Sequence, residues 1–246
     1  MHSFDEERLF IISDTHIGNP SFENKERIIK FLDFVIAQGV NLVINGDGID
    51  FLQPSLHNFV SVLPDAFRRV VRIAQENVIY YIVGNHDIYF EQFLFDLEAF
   101  KVVPFLNIRS GKKNIRIEHA HIYDDLYIRY PKAYHVIGKL WGYLLRRLPG
   151  LYPTYGLLEK ITGTVRVVRK VSESPSEEKP VYRNAAALIL ERGFDAVIFG
   201  HTHRARILEI NTDKFYYNTG SWFEHPHYIE INNGVIKLNK LEGVPS

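Results

Sequence analysis

The chain has 246 residues, room for one large domain or two small ones and for a sizeable core. Lys plus Arg and Asp plus Glu number 29 each, so the net charge is zero with His neutral, which argues against a globally basic nucleic-acid binder or an acidic tail protein. There is no Cys, so disulfides, thiolate metal sites and Cys nucleophiles are excluded, and the eleven His become the feature to follow.

The first ten residues mix charges before a short apolar run, unlike a signal peptide, and no stretch approaches ~20 apolar residues. A soluble cytoplasmic protein is the expectation. Leu9 to Ser13 reads as a buried strand that ends in a polar loop. Asn24 is placed to cap a helix running through Gln38, with Ile28, Phe31, Leu32, Val35 and Ile36 at helical spacing and Gly39 as its stop. Asn41 to Asn45 reads as a second strand. A helix follows from about His57 to Gln75, with Phe59, Leu63, Phe67, Val70 and Val71 expected inward. Val78 to Val83 is a third strand. Buried strands alternating with helices predict an α/β fold with a largely parallel sheet.

Beyond Tyr89 a helix is expected over about Phe90 to Phe100, then a short strand at Val102 and Val103. Ile108 and Ile115 to Glu118 flank a hairpin turn at Ser110 to Asn114. Ala196 to Phe199 is a further strand. The end reads as all β, with strands at Ile207–Ile210, Phe215–Asn218, Tyr228–Ile231 and Val235–Leu238, and Asn233-Gly234 fits a type I′ turn.

One segment stands apart. Lys132 to Lys170 holds eight Lys or Arg against the single acid Glu159, so it carries +7 and the rest of the chain −7. At helical spacing Tyr134, Ile137, Trp141, Leu144, Leu145 and Leu148 share one face, with Lys132, Lys139, Arg146 and Arg147 opposite. Ser172 to Pro180 reads as an exposed loop. The whole is expected to be one domain over 1–246 with a helical, basic, amphipathic insertion at about 125–180.

Five short motifs sit where apolar strands stop: Asp14-Thr15-His16, Gly46-Asp47, Gly84-Asn85-His86-Asp87, His119-Ala120-His121 and Gly200-His201-Thr202-His203. In open α/β folds the carboxyl edge of the strands is where ligands bind. Carboxylate, amide and imidazole donors suit hard or borderline divalent metals. One such motif means little alone; five in one chain are hard to obtain from packing.

The pattern D-x-H, G-D-x-x-D, G-N-H-D, H and G-H-x-H resembles the calcineurin-like metallophosphoesterase superfamily. It stands here as Asp14/His16, Gly46-Asp47 with Asp50, Gly84-Asn85-His86-Asp87, His119, and Gly200-His201 with His203. The resemblance runs from Leu9 to about Trp222 and implies a two-sheet αββα sandwich. It also implies that Asp14, His16 and His203 hold one metal, and that Asp47 bridges to a second held by Asn85, His119 and His201. Two divalent cations, Mn²⁺ first and Fe, Zn or Mg as alternatives, sit about 3.5–4 Å apart in such centres and need a bridging carboxylate. They lower the pKa of a shared water, so hydroxide is available near neutral pH. His86 is expected to stabilise the transition state or protonate the leaving group. Asp87 either orients His86 or holds the turn. The family's usual residue at 120 is Gly, so ligation by His121 is the alternative to His119. His2, His57 and His135 read as surface residues, and His225 and His227 as exposed or supporting the site.

Within the superfamily the chain is most similar to the UDP-2,3-diacylglucosamine pyrophosphohydrolases of lipid A biosynthesis, which place a basic helical insertion between the isolated His and the G-H-x-H motif. The acidic pair Asp124-Asp125 with Tyr127, and Arg204 after the last motif, fit that branch and imply substrate-binding roles for Asp124, Tyr127 and Arg204. That branch commonly has Arg at the position of His86. The resemblance implies cleavage of a nucleotide-linked lipid to UMP and a lipid phosphate, with residues 132–170 meeting the lipid or an anionic membrane surface peripherally. No obligate nucleic-acid partner is expected. A soluble-nucleotide phosphodiesterase or nuclease of the same fold is the alternative, and a non-catalytic scaffold ranks last because every ligand position is filled.

Overall fold

The computed structural model describes residues 3–19, 24–51, 56–93, 96–97, 99–130, 136, 178–223 and 225–241. The basic segment Lys132 to Lys170 therefore lies outside the described residues, apart from Val136.

Two sheets stack face to face. One has strands in the order β13 (Val235–Lys240), β12 (His227–Asn232), β2 (Arg8–Ile12), β3 (Asn41–Asn45), β4 (Ile79–Ile82), β6 (Phe100–Val103) and β5 (Asp96–Leu97). The other runs β1 (Phe4–Asp5), β7 (Leu106–Ser110), β8 (Lys113–Ile117), β9 (Ala196–Phe199), β11 (Lys214–Asn218) and β10 (Arg206–Asn211). β2, β3, β4 and β6 are parallel to their neighbours in that series, as are β8, β9 and β11.

Alternation along each strand builds three apolar layers. In β2, Leu9 and Ile11 point between the sheets toward Ile108, Ile115, Ile117 and Ile198. Phe10 and Ile12 point outward to α1 (Lys25–Gln38) and α2 (Leu56–Ala74). On the far side, Val197, Phe199 and Tyr216 lie under Tyr182, Ala186 and Leu190 of a helix Pro180–Glu191. That is the expected αββα sandwich.

Several elements stand as the sequence indicates. Gly39 closes α1 in the left-handed conformation at φ 58, and Asn233-Gly234 turns at φ 48 and 80, as a type I′ turn requires. Others are corrected. Asn24 makes no side-chain cap; its Nδ2 donates instead to the carbonyls of Trp222 and Phe223. On α2 the buried face is Val62, Ala66 and Ile73, with Leu63 and Val70 beside it, while Phe67 is 62% and Val71 44% exposed. The small Ala66 side chain lets the helix seat close to the core on that side. Phe59 lies among residues whose side chains are not described.

The helix expected over Phe90 to Phe100 is replaced by a 3-10 turn, Ile88–Phe93, and by β5 paired antiparallel to β6. Phe90 is drawn inward edge-on against Tyr81 and Phe51, at 4.9 and 5.5 Å, and sheet pairing takes the residues after it. The helix Pro180–Glu191 has no counterpart among the expected elements. Pro180 at its first turn suits a helix start. The segment expected as an insertion, about 125–180, is described only at 125–130, 136 and 178–180; α3 (Asp125–Arg129) follows a 3-10 turn His121–Tyr123, and the helix Pro180–Glu191 is α4.

Candidate metal centre

The loops after β2, β3, β4, β8 and β9 meet at one end of the sandwich, where both sheets present their carboxyl edges. Parallel pairing continues past the strands: Asp14 N–H donates to Gly46 O, and His16 N–H to Asp47 O. Asp14, His16, Asp47, His201 and His203 all adopt left-handed backbone conformations, with φ between 46 and 65. Non-Gly residues pay about 1–2 kcal/mol for this, and such strain clusters at functional sites. These turns carry five of the donors described next.

Among the described residues two clusters are built from the motif donors, Asp14–His16–His203 and Asp47–His119–His201, and a third group, His16–Asp50–His86, shares His16 with the first. In the first, His203 Nε2 is 3.2 Å from Asp14 Oδ1 and 3.3 Å from His16 Nε2. In the second, His119 Nε2 is 3.2 Å from Asp47 Oδ2. Asp47 joins them. The His86 backbone N–H holds its Oδ1 at 2.8 Å, leaving Oδ2 between His119 and His16 Nε2, the latter 3.8 Å away.

Asn85 Oδ1 is buried without a hydrogen-bond partner, and Asp14 Oδ1 and His119 Nε2 make no well-aligned hydrogen bond, each meeting only an ion-pair partner at 3.2 Å, His203 Nε2 and Asp47 Oδ2. Buried polar atoms nearly always make a hydrogen bond. Buried carboxylate, amide and imidazole atoms are the donors a divalent cation takes, so these residues fit the group the motifs imply. Without cations, the charges lean on each other. Burial works against ionisation of Asp47 and Asp14, yet the imidazolium of His119, with His86 at Asp47 and His203 at Asp14, holds both carboxyls below the usual range. Burial likewise opposes charge on His119, but Asp47 and Asp14 push it up to about 9. His201 moves down, through burial and repulsion from His119.

Two glycines are required by this packing. A Cβ on Gly46, itself at φ 77, would lie 2.3 Å from the His119 ring, and one on Gly84 would lie 2.2 Å from Asp47 Oδ1.

His86 sits over the first cluster, edge-on to His16 at 4.6 Å between ring centres. Its Nδ1 is 3.1 Å from Asp50 Oδ2, and the same carboxylate is 3.4 Å from His16 Nδ1 and accepts from Asn19 at 2.8 Å. Despite burial, Asp50 and Asp47 push His86 up to about 10. Asp50 is thus the carboxylate that faces His86, and its signal in the sequence is its place as the second Asp after Gly46. Asp87 faces the turn: it accepts from Gly48 N–H at 2.9 Å, Gly84 N–H at 2.6 Å and the Tyr81 hydroxyl. Burial and the Asp47 charge push it up to about 6.

His121 is buried, its ring 5.6 Å from those of His119 and Tyr127, and it enters neither donor cluster. Asp124 Oδ2 lies 3.8 Å from His201 Nε2 and accepts from Tyr182 of α4 at 3.4 Å. Arg204 follows His203 on the exposed side of its loop. Phe223, unmarked by any motif, stacks on His16 with ring centres 5.0 Å apart. His57 and His225 are exposed, and His227 Nδ1 donates to His225 O and enters neither cluster; His2 and His135 lie outside the described residues.

Curated proteins similar to this chain are UDP-2,3-diacylglucosamine hydrolases. That of Shewanella baltica (strain OS195) is 26% identical, over 95% of this chain and 97% of its own. That of Shewanella sp. (strain W3-18-1) is 25% identical, over 97% and 98%. Among solved structures, a chain described as a novel archaeal phosphodiesterase is 15% identical with a TM-score of 0.49, covering 95% of this chain and 99% of its own. Residues 7–205 match the family described as Calcineurin-like phosphoesterase, a span holding every donor of both clusters. On that match the chain belongs to the calcineurin-like phosphoesterase family, enzymes that hydrolyse phosphoesters with divalent metal ions.

Proposed function

We propose that this chain cleaves the pyrophosphate link of a nucleotide-bound, acylated sugar of the UDP-2,3-diacylglucosamine type, releasing UMP and a lipid phosphate. The observation that carries the reading is Asp47 Oδ2, held by its partner oxygen's bond to His86 N–H and facing both donor clusters. Similarity to UDP-2,3-diacylglucosamine hydrolases over nearly the whole chain supports the substrate class.

In this reading Asp14, His16 and His203 hold one cation, Asn85, His119 and His201 the other, and Asp47 both. Two divalent ions, Mn²⁺ by preference, supply Lewis acidity and a hydroxide at neutral pH. His86, protonated beside Asp50, donates to a phosphate oxygen or to the departing phosphate. Asp87 acts through the turn that carries Asn85 and His86. Arg204 grips phosphate oxygens, while Asp124 and Tyr127 shape the rim near the insertion root. Residues 132–170 meet the acyl chains or an anionic membrane surface on the cytoplasmic side. Among the described residues no helix is long and apolar enough to cross a membrane.

The test compares Mn²⁺-dependent release of UMP from UDP-2,3-diacylglucosamine with hydrolysis of cyclic nucleotides and single-stranded DNA. Preference for the lipid, lost in Asp47→Ala, is the expected result. Preference for either soluble substrate makes the chain a nucleotide phosphodiesterase or nuclease instead.

A further inference from the structure

Asp14 is held by residues beyond the five motifs. Ser13 Oγ donates to Asp14 Oδ2 at 2.5 Å and meets the Thr219 hydroxyl in a short contact. The His201 backbone N–H gives the same carboxylate oxygen a second donor at 3.1 Å. Ser13, Asp14 and Thr219 are all essentially inaccessible to solvent. Proton inventory fixes the direction of these bonds, because each hydroxyl has one hydrogen to give. A carboxylate is a stronger acceptor than Gly220 O, which lies 3.2 Å from Ser13 Oγ, so the Ser13 hydrogen goes to Asp14. Thr219 then gives its hydrogen to Ser13 in preference to the longer contact with Phe199 O at 3.3 Å. The chain Thr219 to Ser13 to Asp14 is continuous, and each bond polarises the next.

The result is asymmetric. Oδ2 of Asp14 has two donors, while Oδ1 has no well-aligned one and lies 3.2 Å from His203 Nε2. A Cβ at Gly200 would stand 2.9 Å from both Asp14 Oδ2 and Ser13 Oγ, so the carboxylate is packed as well as bonded. Thr219 follows β11 in one sheet and Ser13 follows β2 in the other, so the two hydroxyls also tie the sheets together at this edge.

We propose that the Thr219–Ser13 hydroxyl chain is a positioning device. It holds Asp14 as a one-oxygen ligand for a divalent cation among Asp14, His16 and His203, and so sets the affinity of that position more strongly than that of the other. The inference rests on the two-cation reading above and adds to it two residues that touch neither cation.

The experiment titrates Mn²⁺ into the metal-free full-length protein, following free Mn²⁺ by electron paramagnetic resonance and bound ions by calorimetry. Wild type is compared with Ser13→Ala, Thr219→Val and Thr219→Ser, and melts of the metal-free variants report folding. Loss of a bond behind a ligand costs about 10- to 100-fold in metal affinity. Ser13→Ala is expected to weaken one of two ions by that factor and the other by much less. Thr219→Val weakens the same ion by less, because Ser13 still donates, and Thr219→Ser restores it. If Ser13→Ala does not fold, the contrast between the two Thr219 variants decides. Unchanged affinities, or equal weakening of both ions, overturn the positioning role. A wild-type protein that binds no divalent cation overturns the two-cation reading itself.

Discussion

His119 Nδ1 lies 2.8 Å from the carbonyl oxygen of Asn45, and a carbonyl only accepts, so Nδ1 carries the hydrogen. That bond leaves Nε2, 3.2 Å from Asp47 Oδ2, as the nitrogen that would meet a cation in the proposed centre. In the metal-free protein Nε2 is protonated as well, because Asp47 and Asp14 outweigh burial and push His119 up to about 9. A cation can take this position only by displacing that proton.

Metal affinity is therefore expected to rise with pH, by up to about tenfold per unit for each proton released, and to level off near pH 9. Calorimetry in two buffers of different ionisation enthalpy measures the protons released; a pH-independent affinity would contradict the geometry. The metal-free fold should show the opposite slope. The folded value of His119 lies above its unfolded value of about 6.5, so its stabilisation is complete below that pH and lost as pH rises through about 9. Denaturant melts of the metal-free protein should show stability falling by a few kcal/mol over that window, and loaded protein should not follow.

Asp50 and Asp87 make a paired prediction. Asp50 faces His86 and His16, so Asp50→Asn removes the charge that favours protonated His86. Turnover should fall about 10- to 100-fold, by analogy with loss of other orienting partners, and the alkaline limb of the pH profile should move to lower pH. Asp87→Asn instead turns an amide donor toward Gly48 N–H, Gly84 N–H or the Tyr81 hydroxyl, all of which donate. That mismatch costs roughly 1–3 kcal/mol of stability, read by chemical denaturation, and the alkaline limb should move less than in Asp50→Asn, because Asp87 raises His86 less than Asp50 does. If the limb moves with Asp87 and not with Asp50, the assignment of partners is reversed.

Gly46→Ala should abolish the second cluster while Gly39→Ala leaves it intact. Both glycines have positive φ, but only at Gly46 would the added Cβ fall 2.3 Å from the His119 ring; at Gly39 nothing lies within 4 Å. Each pays the left-handed penalty of about 1–2 kcal/mol. Mn²⁺ stoichiometry separates the two: Gly46→Ala should lose an ion, and Gly39→Ala should lose stability only.

The fold was legible where local chemistry and global packing agree. Buried strands ending in Asp, Asn or His loops, and Gly39 after an amphipathic run, carry their meaning within a few residues. Both donor clusters were legible for the same reason, since each donor sits in a short motif at a strand end. What needed the structure lies in contacts between distant segments. Asp50 and Asp87 are both Asp in motifs near His86, and only the path of the chain turns one toward the imidazole and the other toward backbone amides. Thr219 reaches Asp14 through Ser13 across 206 positions of sequence, which no spacing rule anticipates. The outward face of α2 was misread because Phe67 looks like core by type, while the smaller Val62 and Ala66 fit against the sheet.

Ala120 tests how much the backbone alone demands at the centre. It stands at φ 75 between His119 and His121, where the family pattern has Gly, and its methyl is buried with Tyr182 and Leu190. Ala120→Gly relieves about 1–2 kcal/mol of left-handed strain but loses a buried methyl worth about 0.8 kcal/mol and adds unfolded-chain entropy of about 0.5–1 kcal/mol. These nearly cancel, so stability should stay within about 1 kcal/mol of wild type and Mn²⁺ should bind as before. Ala120→Val adds a β-branched side chain where φ is positive and should destabilise by more than about 2 kcal/mol. A large loss in Ala120→Gly, measured by denaturant melts, would mean that the methyl contact and not the turn is what position 120 supplies to His119.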